Sequence, residues 1–163
     1  MGKIGILQRP DGGITIITPS IEALKHRTIE EIISKANPNN YPVTLVNRNT
    51  LPESRLFRNA WEYGTEITVN REKAEQIHMD RLRFLRKKQL ESLDTEFLRA
   101  VENRNTLEQN RIHLLKTKLR DMPSNELNSL REVELGNLHR FVPDYLNGDI
   151  KELDNKVIMR EKL

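Results

Sequence analysis

Apolar residues recur at spacings of three to five through one long stretch of the chain: Ala74, Ile77, Leu82, Leu85, Leu90, Leu93, Phe97 and Val101. No Pro or Gly interrupts it. The pattern predicts an amphipathic helix over 70–103, about 33 residues or roughly 50 Å at 1.5 Å per residue. Asn70 suits its N-cap, because the side-chain oxygen can accept an orphan N–H of the first turn. Glu72 sits where the helix dipole favours negative charge. A helix this long cannot bury its apolar face against itself.

Upstream, the pattern changes to short β-branched runs. Lys3–Gln8 and Ile14–Thr18 read as strands joined by Arg9-Pro10-Asp11-Gly12-Gly13, where Asp-Gly supplies the positive φ of a tight hairpin. A phosphate-cradling loop would need a helix straight after the glycines, and Ile14-Thr15-Ile16-Ile17 is strand. Thr18-Pro19-Ser20 starts a helix, which Ile21, Leu24, Ile29, Ile32 and Ile33 carry to about Ala36. Pro38 stops it, and Tyr41–Val46 is a strand whose Pro42 suggests an edge. From Asn49 to Tyr63, the spacing of Leu56, Phe57, Ala60 and Trp61 predicts one more helix. Gly64 would be its left-handed terminus, and Ile67–Val69 the last strand.

Downstream, Thr106–Asp121 reads as a second long helix, broken at Met122-Pro123-Ser124, with a third from Ser124 to Val142. A short link between two apolar-striped helices predicts an antiparallel hairpin, with Leu93, Phe97 and Val101 facing Leu107, Leu114 and Leu115. The expected fold class is α+β. A small antiparallel sheet of about four strands with short helices fills 1–69. The helical hairpin and third helix follow over 70–142, and 143–163 form a C-terminal tail.

Composition narrows the function classes. Charged residues make up 31% of the 163, hydrophobic residues 36% and aromatics 5%, with Trp61 the single Trp. That suits an extended helical protein better than an enzyme with a deep pocket. There is no Cys, which removes disulfides, thiolate catalysis and Cys-ligated zinc. The net charge of +3 over 27 Lys/Arg and 24 Asp/Glu says little about nucleic acid. No apolar run approaches a membrane span, no leader pattern opens the chain, and Ile6 breaks the myristoylation pattern that Gly2 begins. Synthesis in the cytosol is the expectation.

Candidate chemistry is sparse. His26, His78, His113 and His139 lack metal-ligand spacing, and no Ser sits in a nucleophile elbow. Neither a catalytic constellation nor a cofactor is expected. Arg81, Arg83, Arg86, Lys87 and Lys88 form a dense basic run that could track phosphates. Helical spacing spreads them around the axis, however, with Asp80 and Glu91 interleaved. Arg55, Phe57, Arg58 and Trp61 carry the residue types that anchor protein interfaces. Phe57 and Trp61 are also the natural core under a small sheet. Leu82, Leu85 and Leu90 on the long helix are further candidates for partner contact.

Three segments in order carry a resemblance. They are RPDGGITIITP (9–19), LPESRLFRNAWEY (51–63) and the helix from Arg71 to Glu102, followed by LLKTKLRDMP (114–123). Together they resemble small phage and prophage proteins commonly labelled phage tail assembly chaperones. The likeness spans roughly residues 4–123 and is most specific at Leu51–Trp61 and Leu119–Pro123. Val101 is an insertion against the commoner pattern, and the last forty residues lie beyond it. The resemblance implies a non-enzymatic accessory of tail or virion assembly that binds other phage proteins, in the host cytoplasm or within the particle. Two other readings stay open. One is a permanent structural component of the particle, built through contacts with further copies of the chain. The other is a nucleic-acid-binding or host-defence-modulating protein that uses the basic run.

Overall fold

The computed structural model describes residues 2–52 and 54–146, and the expected tail lies outside them from residue 147 on. The chain divides into two compact units, Met1–Ala74 and Glu75–Leu163. The fold is α+β, with small antiparallel sheets and a long helical hairpin.

In the first unit, β1 (Lys3–Gln8) is central in a three-stranded sheet, between β2 (Ile14–Ile17) and β3 (Val43–Asn47). Both pairings are antiparallel; Ile6 lies opposite Ile16 on one side and Thr44 on the other. The hairpin turn is built as its residues predict. Gly12 takes φ 77°, Arg9 and Gly13 close it by backbone bonds, and Asp11 Oδ1 accepts the Gly13 N–H at 2.9 Å. That bond, with the Arg9 guanidinium, holds the Asp11 carboxyl below its usual range.

Alternation along β1 sends Ile4 and Ile6 to one face and Gly5 and Leu7 to the other. Ile6 packs with Trp61 and Ile67, and Ile14, Ile16, Val46 and Leu51 lie around them. On the opposite face, Gly5 leaves room for Ile33: a Cβ there would come within 2.6 Å of Ile33 Cδ1. Covering both faces of β1 accounts for its run of four buried residues, Ile4–Leu7.

The single helix expected over 20–36 is two. α1 (Ile21–His26) is capped by Ser20, whose hydroxyl accepts the Ala23 N–H. α2 (Ile29–Ala36) opens on a capping box, with Thr28 and Glu31 each accepting the other's backbone N–H. Thr28 is extended (φ −73°, ψ 160°), so the box breaks the helix that apolar periodicity would have continued.

The helix expected over 49–63 does not form. Two 3-10 turns, Arg48–Thr50 and Arg58–Ala60, lead into β4 (Trp61–Tyr63). The i, i+3 spacing of Phe57 and Ala60 is met by a 3-10 bond, Ala60 N–H to Phe57 O at 2.8 Å. Trp61 is instead a strand residue, paired with Val69 of β5 (Ile67–Val69) in a separate two-stranded sheet. The expected single sheet of about four strands is therefore two sheets with five strands among the described residues. Gly64 lies in the turn of the second sheet's hairpin and, unlike Gly12, has no positive φ.

The long helix is α3 (Arg71–Glu102). Asn70 caps it as expected, with its Oδ1 accepting the Lys73 N–H at 3.0 Å. Asn70 also donates through Nδ2 to Glu62, which pairs with Lys73 Nζ at 2.7 Å.

In the second unit, α3 turns through Asn103-Arg104-Asn105 into α4 (Thr106–Glu132). Arg104 takes φ 54°, and the Asn105 N–H returns to Ala100 O at 2.9 Å, a left-handed helix ending on a residue other than Gly. Asn105 then caps α4 by accepting the Glu108 N–H. The hairpin is antiparallel, tied by Gln109 to Ala100 O, Arg111 to Glu96, and Lys116 to both Asp94 and the Phe97 ring.

Two expectations change here. α4 runs through Pro123 without a break, so no third α-helix starts at Ser124; a 3-10 segment, Leu135–Arg140, follows instead. The seam also differs. Leu93 is buried, but Ala100 takes the place expected for Val101. On α4, Ile112, Leu119, Met122 and Leu130 are buried, while Leu107 and Leu114 are exposed. Leu107 and Leu114 lie seven residues apart, and so do Ile112 and Leu119, so the two pairs mark different faces of one helix.

Candidate binding site

Several chain segments of the first unit converge on a polar cleft of about 170 Å³. Thr18 follows β2, Arg48 opens the 3-10 turn after β3, Arg55 lies in the following loop, Arg58 opens the second 3-10 turn and Trp61 begins β4. Ile16 and Leu51 also line it, and among the described residues the lining holds no carboxylate. All three arginines are exposed, and no ion pair holds any of them among the described residues. Trp61 is 1% exposed, and its buried Nε1–H meets no acceptor among the described residues. Among the described residues, the lining thus supplies three guanidinium groups and one hydroxyl without a counter-charge.

The structure places the residues singled out from sequence in different roles. Arg55, Arg58 and Trp61 come together at this cleft. Phe57 is buried at 6% exposure and does not line it. Arg48 and Thr18 were missed, since only the return of β3 beside β1 brings Arg48 near. On α3, Leu82 and Leu85 are buried and Leu90 is half-buried, so Leu82 and Leu85 offer no open surface in the single chain. The basic run does not form one face: Arg81 is buried, Arg83 pairs with Asp80 at 2.7 Å, and Lys87 and Lys88 are exposed.

Four exposed apolar side chains flank the turn of the hairpin. Leu98 and Val101 on α3 are 63% and 46% exposed, and Leu107 and Leu114 on α4 are 84% and 69% exposed. All four fall within 17 residues that flank the Asn103–Asn105 turn.

Toward its other end, the hairpin is crossed by the segment that follows the last 3-10 turn. His78 Nε2–H donates to Phe141 O, Gln89 donates to Tyr145 O at 3.1 Å, and the Tyr145 hydroxyl donates to Glu126 at 2.7 Å. Burial, reinforced by the Glu126 carboxylate, pushes the Tyr145 hydroxyl pKa well up.

Among the described residues, no group of three or more His, Asp or Glu is placed to hold a metal ion, and no helix is long and apolar enough to cross a membrane. In comparisons with protein families, curated proteins and solved structures, nothing matches this chain.

Proposed function

We propose that this chain is a non-enzymatic binding protein that holds another protein through the end of its helical hairpin. In the setting suggested by the resemblance, that protein is a component of a phage tail or particle under assembly. The observation that carries this reading is the exposure of Leu98, Val101, Leu107 and Leu114 around one turn. Large exposed aliphatic side chains on both sides of one turn favour a surface that is covered in use. Exposed aliphatic side chains on both helices of the hairpin suit an apolar groove or strand on a partner.

The test is co-expression with each tail protein encoded in the same phage genome. One of them is expected to stay in solution only when this chain is present. A Leu98→Lys/Leu107→Lys/Leu114→Lys variant should keep its melting temperature, because none of these positions is buried, and should lose the effect. Should the triple variant keep the partner in solution as well as the wild type does, the hairpin end is not the binding surface. Light scattering adds a second arm. A concentration-independent oligomer that the triple variant dissolves would make a second copy the occupant, and would favour a structural component of the particle.

A further inference from the structure

The arginine cleft of the first unit calls for a ligand of another kind, independent of the hairpin surface. We propose that it binds a phosphoryl-type oxyanion, either free phosphate or the phosphate end of a small phosphomonoester.

Charge is the first ground. Among the described residues, Arg48, Arg55 and Arg58 line one cleft with no carboxylate in its lining and no ion pair of their own. Three guanidinium groups of like sign repel one another, and an anion between them removes that cost. Donor count is the second. Thr18 adds a hydroxyl to the lining, and Trp61, which also lines it, carries a buried donor-only Nε1–H without an acceptor among the described residues. An orphaned buried donor is costly, so an acceptor that reaches it is favoured.

Shape separates phosphate from carboxylate. A carboxylate presents its acceptor sites in one plane and is satisfied by one or two forks. A tetrahedral oxyanion spreads its oxygens in three dimensions, which matches donors arriving from separate segments: Thr18 after β2, Arg48 after β3, and Arg55 and Arg58 ahead of β4. Size limits the ligand. About 170 Å³ is well below the roughly 300–1,000 Å³ of pockets that enclose a whole cofactor or drug-sized molecule. The cleft takes the phosphate group itself, and anything attached must lie outside it.

Trp61 is the single Trp of the chain and lines this cleft, so a change in its fluorescence can report binding there. The full chain is titrated with inorganic phosphate, methyl phosphate and acetate at constant ionic strength. Phosphate or methyl phosphate should give a saturable change, and acetate should not. Tighter binding of methyl phosphate identifies a monoester end as the ligand, and tighter binding of inorganic phosphate identifies the free ion. Arg55→Ala/Arg58→Ala should raise the dissociation constant at least about tenfold, the scale of one lost charge-assisted contact. Both residues are exposed, so the melting temperature without phosphate should not move. In Trp61→Phe, which keeps an aromatic side chain but removes the donor, the phosphate-induced rise in melting temperature should shrink. The proposal fails if acetate binds as well as phosphate, if nothing saturates below about 10 mM, or if the double variant binds phosphate as the wild type does.

Discussion

His78 donates its Nε2–H to the backbone carbonyl of Phe141 across 2.7 Å, joining residues 63 apart in sequence. His78 has no exposure at all, and a carbonyl can only accept, so the ring carries its proton on Nε2. The bond fixes where the chain leaves its last 3-10 turn and recrosses the hairpin. Replacing His78 with Phe fills the space but leaves that carbonyl without its donor. A loss of about 1–3 kcal/mol in urea denaturation is expected, with faster amide exchange at residues 141–146. Unchanged exchange there would show that the segment is held by other means.

Leu119 and Leu114 occupy opposite situations on one helix. Leu119→Ala should cost about 2–5 kcal/mol, because the side chain is fully buried and its cavity cannot fill from solvent. Leu114→Ala should stay within about 0.5 kcal/mol of the wild type. The reverse order in chemical denaturation would restore the seam that sequence spacing suggests and displace the one described above.

Arg104 sits at φ 54° in the turn between α3 and α4, a region that disfavours side chains with a Cβ. Arg104→Gly should raise stability by about 0.5–1 kcal/mol, because the relieved strain exceeds the added freedom of the unfolded chain. A fall in melting temperature would mean that the turn does not use the left-handed conformation.

Glu62 ties β4 to the start of α3. The Lys73 ammonium and then the Asn70 amide hold its carboxyl below the usual 4.5. A folded value below the unfolded one means that the group contributes stability fully above the unfolded value and loses it as pH falls through the folded one. Glu62→Gln should therefore lower the melting temperature at neutral pH. The gap to the wild type should close as the solution is acidified below 4.5. A gap that persists in acid would assign the loss to packing rather than charge.

Local rules settled a good part of this protein. Asp11-Gly12-Gly13 needs only its own φ requirement to make a hairpin, and Asn70 needs only the N–H groups beside it to start α3. The 32-residue span of α3 follows from an apolar repeat free of Pro and Gly. Thr28–Glu31 was equally local, because a Thr-x-x-Glu box is written in the sequence. Apolar periodicity, which runs through it, masked the break.

What the tertiary structure decided concerns residues whose local preference was ambiguous. The spacing of Phe57, Ala60 and Trp61 fits an α-helix and a 3-10 turn equally. The pairing of Trp61 with Val69 and its burial against Ile6 settled it in favour of strand. Pro123 costs a helix one hydrogen bond, and α4, with Met122 and Leu130 buried on either side of that residue, runs on through it. Arg48 could not be grouped with Arg55 and Arg58 until β3 returned antiparallel to β1, because no periodicity links a residue after one strand to a loop beyond it. Periodicity names which residues are apolar enough to be buried. Only packing chooses among them, and here it left Leu98, Val101, Leu107 and Leu114 outside.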